Sequence, residues 1–205
     1  MHADWYFDFI SPFAYLQWPR VRALPGVRYR PVLLAGLLNH HGQKGPAELP
    51  AKRLFTYRHV QWKAERAGIP LRFPPAHPFN PLPALRLCLH AGASAEAIEA
   101  IFDHLWRDGL PGDDARSLEP VARRLGIEDV QAALGDPAAK AALQANFDEA
   151  IARGVFGVPT LVSGDALYWG EDATAMFEDM RADPGRLARG EMARLADLPI
   201  GASRR

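Results

Sequence analysis

The sequence predicts an α/β fold built as a β-α-β opening, a long all-helical block and a β-β-α close. Three observations predict it. "ADWYFDFI" (3–10) leads through Ser11-Pro12 into a helical pattern, residues 48–153 carry one helix signal after another with no strand among them, and "TLVS" and "ALYW" flank Gly164-Asp165 as a hairpin does.

Residues 3–10 place aromatics on both faces, which suits a central strand rather than a half-exposed one. Ser11 offers an N-cap oxygen and Pro12 a preset φ at the first helical position, predicting a helix over 12–24 that stops at "LPG". "VRYRPVLL" (27–34) reads as a second strand. A helix over 50–67 presents Phe55, His59 and Trp62 at i, i+4 and i+7. Asn80-Pro81 starts a helix that Gly92 ends, Ser94 caps one that runs to Gly109, and Ser117 begins one that ends at Gly126. Asp136-Pro137 opens the last of the block, running to Gly154, and 172–183 is the closing helix. The expected organisation is one discontinuous domain, 1–45 with 154–185, an inserted helical domain, 46–153, and a charged tail, 186–205, that packs weakly.

Composition narrows the partners. Among 205 residues, 24 basic side chains balance 24 acidic ones, so no global field attracts nucleic acid or an anionic membrane, and a small ligand is expected instead. The N-terminus lacks a basic region, an uninterrupted apolar run and a small-residue cleavage site, and no later run reaches membrane-spanning length. A soluble cytoplasmic protein is expected. The single cysteine, Cys88, stands among apolar neighbours at helical spacing and reads as a buried structural thiol. The histidines at 40, 41, 59, 77, 90 and 104 have no spacing that converges on a metal.

Several blocks together resemble a known family. They are "DFISPFAYL" (8–16), "GQKGPAELPAKRLFTYRH" (42–59), "FPPAHPFNPLPALR" (73–86), "GVFGVPT" (154–160) and "YWGED" (168–172). In this order they are similar to the 2-hydroxychromene-2-carboxylate isomerases and their relatives, the kappa-class glutathione transferases. The resemblance implies a thioredoxin-like fold with a large all-helical insertion, of the DsbA or kappa type. Where DsbA-type proteins open the first helix with C-x-x-C, this chain reads Ser11-Pro12-Phe13-Ala14, so dithiol-disulfide exchange has no sulfur at this place.

The resemblance also implies glutathione as cofactor, a small aromatic substrate and a homodimer. Ser11 would hydrogen-bond the glutathione sulfur, its role as N-cap notwithstanding. Val158, before a cis Pro159, would pair its backbone with the cysteinyl part, and Glu171 and Asp172 would receive the γ-glutamyl ammonium. Ala173 follows where relatives have Arg or Ser, which removes a polar contact. Gln43 stands where relatives have Asn. Lys52 would bind a carboxylate of glutathione or substrate, with Phe13 and Asn80 also on the substrate side. The implied activity is isomerisation of an aromatic-degradation intermediate by reversible thiolate addition. Two alternatives stand beside it: a kappa-class transferase or peroxidase, and a non-catalytic thioredoxin-like binding protein. Glutathione binding and turnover separate the three.

Overall fold

The five residues Ala3–Phe7 form β1, and all are buried, because this strand lies inside a four-stranded sheet of order β2-β1-β3-β4. The computed structural model describes residues 2–202. β2 (Val27–Pro31) pairs with β1 in parallel. β3 (Thr160–Ser163) pairs with β1 in antiparallel register, Tyr6 opposite Thr160, and β4 (Ala166–Trp169) closes the hairpin. Gly164 supplies the positive φ, 58°, at the hairpin turn.

Both predicted N-terminal strands end early, and one residue explains why. Asp8 follows β1, and its carboxylate accepts from the amide of Ile10 at 3.1 Å and that of Leu34 at 2.8 Å. The first bond turns the chain out of the strand. The second caps a helix absent from the sequence expectation, α2 (Leu34–His40), whose own preceding residue, Leu33, has no capping side chain. The strand expected over 27–34 therefore stops at Pro31.

The first helix, α1 (Pro12–Ala23), lies on one face of the sheet and buries Ala14, Tyr15, Leu16, Gln17, Trp18 and Val21. The helical block comprises α3 (Pro50–Ala67), α4 (Leu82–His90), α5 (Ala95–Phe102), α6 (Ala115–Arg124), α7 (Val130–Gly135) and α8 (Pro137–Ala152). A π turn, Asp103–Arg107, prolongs α5. Two starts differ from expectation: α6 is capped by Asp114, with Ser117 as its third residue, and α7, capped by Asp129, is an additional helix. The closing helix is α9 (Thr174–Ala182), and in the tail a short helix, α10 (Gly190–Arg194), has no buried residue. Residues 203–205 of the tail lie outside the described residues.

Sheet and helical block share one core. Trp5 stacks on Phe7 at 4.2 Å and on Trp18 at 5.6 Å, while Phe9 meets Phe102 of α5 edge-on at 4.8 Å. A smaller cluster on the opposite face packs Tyr6 and Val162 against Ala150 and Phe147 of α8. The stripe Phe55, His59, Trp62 faces outward, with Phe55 67% and Trp62 52% exposed, because α3 buries Val60 and Ala64 instead. No helix among the described residues is long and apolar enough to cross a membrane.

Candidate functional site

Ser11 stands where β1 hands over to α1, and the turn that delivers it is held from three sides. Its own N–H donates to Asp8 O at 3.1 Å. Trp106 of the π turn donates its indole N–H to Phe9 O at 2.8 Å, and His77 Nε2 bonds Ile10 O at 2.9 Å. The Tyr57 hydroxyl donates to His77 O at 2.7 Å and lies 2.7 Å from Nδ1 of the same ring, so its one proton is shared between the two acceptors when Nε2 carries the ring proton. Burial pushes the His77 pKa down, which keeps the ring neutral in this role. Three successive carbonyls are thus fixed, two of them by the helical block.

Ser11 is 6% exposed, and its Oγ accepts from the Ala14 amide at 3.3 Å. Its hydroxyl proton has no acceptor among the described residues. A donor at the positive end of a 12-residue helix, with its proton uncommitted, stabilises a negative atom placed beside it.

The antiparallel register of β1 and β3 carries the start of β3 to the same edge of the sheet as the end of β1. There the Val158-Pro159 peptide is cis, and neither the N–H nor the C=O of Val158 has a hydrogen-bond partner among the described residues. Pro159 O, by contrast, accepts from Gly170 at 2.9 Å. An extended ligand segment can add to Val158 as a strand adds to an edge. A Cβ at Gly157 would come within 2.8 Å of the Trp169 indole nitrogen, so any larger residue there must displace that ring.

The third wall is the loop between β4 and α9. Gln17, fully buried on α1, accepts from the Trp5 indole at 2.6 Å and donates to Gly170 O at 3.3 Å and Thr174 Oγ1 at 2.9 Å. That relay sets the loop against α1. Asp172 is exposed, folds over Gly170 and has no ion-pair partner among the described residues. Glu171 is engaged instead, with Lys63 Nζ of α3 2.6 Å from its Oε2. The same helix approaches α1 at Phe13, whose ring lies 6.1 Å from that of His59.

The structure thus brings Ser11 and Phe13, after β1, to the end of the sheet where Val158 and Pro159 precede β3, and sets the Glu171-Asp172 loop against Pro159 and the middle of α1. Gln43 lies exposed in the α2–α3 connection and Lys52 exposed in the first turn of α3. Asn80 uses its Oδ1 to accept from Leu82 at 3.1 Å. No hydrogen bond or ion pair joins these three to the others. The sequence reading did not single out Asp8, Gln17 or His77 for the site. A polar residue in an apolar run, such as Gln17 in "YLQWP", was the available signal for a buried partner. Cys88 is fully buried, and burial pushes its thiol pKa up, so it stays protonated and inert.

A family model described as a DSBA-like thioredoxin domain matches residues 3–180. A 2-hydroxychromene-2-carboxylate isomerase of Pseudomonas putida is 33% identical over 204 residues, 92% of this chain and 97% of that protein. A solved structure of a 2-hydroxychromene-2-carboxylate isomerase superposes with a TM-score of 0.76 at 30% identity, covering 98% of this chain and 100% of that one. Glutathione S-transferase kappa 2 of Caenorhabditis elegans is 26% identical, over 87% of this chain and 91% of its own length.

Proposed function

Since the chain belongs to the DSBA-like thioredoxin family and, within it, to the 2-hydroxychromene-2-carboxylate isomerases, we propose that it is a glutathione-dependent isomerase of a 2-hydroxychromene-2-carboxylate-like compound. The observation that carries the cofactor assignment is the Ser11 hydroxyl, buried at a helix N-terminus with an acceptor bond made and its proton free. Bound glutathione would supply a thiolate able to add to the conjugated double bond of the substrate and leave it again. The chain's own residues do the rest. Ser11 donates to the sulfur and, with the α1 dipole, lowers the thiol pKa. Val158 offers one N–H and one C=O to the tripeptide backbone. Asp172 receives the γ-glutamyl ammonium, with Glu171 held to Lys63 beside it. Gln43 contributes an amide to the cofactor, Lys52 pairs with a carboxylate, and Phe13 and Asn80 face the substrate.

We read the protein as cytoplasmic and homodimeric, the two-domain division at 45/46 and 153/154 included. Sedimentation equilibrium checks the dimer. For the activity, purified protein is mixed with 2-hydroxychromene-2-carboxylate, with and without glutathione, and the absorbance change is followed. Turnover only with glutathione supports the proposal. The kappa relative favours a second reading, a glutathione transferase, which turnover of 1-chloro-2,4-dinitrobenzene in place of the chromene would establish. Glutathione binding without either turnover would leave a binding protein.

Two further outcomes are expected. Asp172→Asn should raise the dissociation constant for glutathione by roughly two- to fivefold, the loss of one exposed ion pair, while leaving the rate at saturation nearly unchanged. Titration calorimetry beside kcat measurement tests this, and a fall in kcat at unchanged affinity contradicts it. Ser11→Cys should not create a disulfide reductase. The introduced thiolate would attack glutathione disulfide, form one mixed disulfide and release one glutathione thiolate. Ala14 has no sulfur to resolve it, and Cys88 is wholly buried. Mass spectrometry should therefore show one glutathione added per chain. Catalytic reduction of insulin by this variant would contradict the account.

A further inference from the structure

A cleft of about 380 Å³ lies between α2, α4 and α8, beside the sheet face opposite α1, and it includes none of the residues assigned to glutathione or the chromene. Leu33, Leu82, Leu143 and Phe147 give it apolar walls, and Arg86 and Lys140 line it. Neither cation has an ion-pair partner among the described residues, and the Nε of Arg86 is buried without any hydrogen-bond acceptor. Among the described residues, no carboxylate lines the cleft. The nearby Asp148 accepts from Gln144 Nε2 at 2.8 Å, one turn along the same helix.

Arginine's planar fork matches a carboxylate, and a second cation in the same cleft reinforces the preference for an anion. The apolar walls require that the anion carry a hydrophobic body, and the volume falls within the usual range for small-molecule clefts, about 300–1,000 Å³. We propose that this cleft is a second binding site, for a small amphipathic carboxylate whose acid group sits on Arg86 and Lys140 and whose ring lies against Leu143 and Phe147. It stands independently of the isomerase reading.

The test uses the full chain labelled with 15N, titrated with 1-naphthoate and, in parallel, with the neutral 1-naphthamide. Saturable shifts are expected at the amides of Gly36 and Gln144, both in the cleft wall, with the amide compound binding at least about tenfold more weakly. Arg86→Gln and Lys140→Gln should each weaken naphthoate binding at those amides by about tenfold, while any response around Ser11 and Val158 stays as in the wild type. Shifts confined to Ser11 and Val158, equal binding of the neutral compound, or wild-type affinity in the folded variants would each overturn the proposal. Should Arg86→Gln fail to fold, Lys140→Gln, at an exposed position, decides alone.

Discussion

Ser11→Ala is expected to lower isomerase turnover by roughly ten- to a thousandfold, the range for removing one preorganised donor from a developing negative charge. Among the described residues, the Ser11 hydroxyl is the one side-chain donor in the first turn of α1 left without an acceptor, since Tyr15 donates to Pro70 O, so no neighbour in that turn replaces it. The α1 dipole and the Val158 backbone remain, which sets the floor of the residual rate. The lost bond to the Ala14 amide costs about 1 kcal/mol of stability, small enough for the variant to fold. The measurement is kcat with glutathione saturating, accompanied by the pH dependence of the bound thiol's ultraviolet absorbance. The thiol pKa should rise with the substitution. Unchanged turnover with glutathione bound would reduce Ser11 to a helix cap.

The second large effect is on stability against pH, and it arises at Asp8. Burial pushes its carboxyl up to about 7, against amide bonds from Leu34, Ile10 and Phe9 that pull the other way. The ordinary carboxyl value is 3.8. Between that value and about 7 the native chain holds a proton that the unfolded chain has released, so stability falls as pH rises through this window. The full difference is up to about 4 kcal/mol, and it is complete above the native pKa. Asp4 has the opposite sign. Its burial is outweighed by hydrogen bonds from Arg28, Arg30 and Arg153, which hold its pKa below the ordinary value. Its contribution is present above that value and is lost as pH falls through the lowered native pKa. Urea unfolding of the wild type and Asp8→Asn from pH 4 to 8 isolates the Asp8 effect. The variant starts less stable, since one amide of Ile10 or Leu34 loses its acceptor, and the gap should close as pH rises. A gap that widens with pH would refute the sign.

What was legible in the sequence was whatever local spacing decides. The helix at 50–67 and the strands at 160–163 and 166–169 stand where their caps, prolines and alternation place them. Two departures are local, the aspartate caps of α6 and α7, and the others are non-local. Helix α2 is capped by a carboxylate 26 residues upstream, and the outward face of α3 depends on which neighbours cover it. At the site, the cap at Ser11 and the proline at 159 are local signals, but alone they read as an ordinary N-cap and a turn, and only the resemblance of the surrounding blocks singles them out. His77 and Asp8 could not, since one acts through a bond to a residue distant in sequence and the other through burial, and Gln17 showed only as a polar residue in an apolar run whose partners lie far along the chain.

The pinning of residues 9 and 10 by Trp106 and His77 bears on how the protein comes into being. Those two bonds span 97 and 67 residues of chain, so the geometry of the serine turn is a long-range product of folding. A ribosome that has just released the first β-α-β segment has made the serine but not its setting, because the tryptophan and the histidine have yet to emerge. During refolding from urea, helix content should return first and glutathione affinity last, with a lag between the far-ultraviolet signal and ligand binding. Competence for chemistry is in this sense an assembly step, reached only when the insertion has docked.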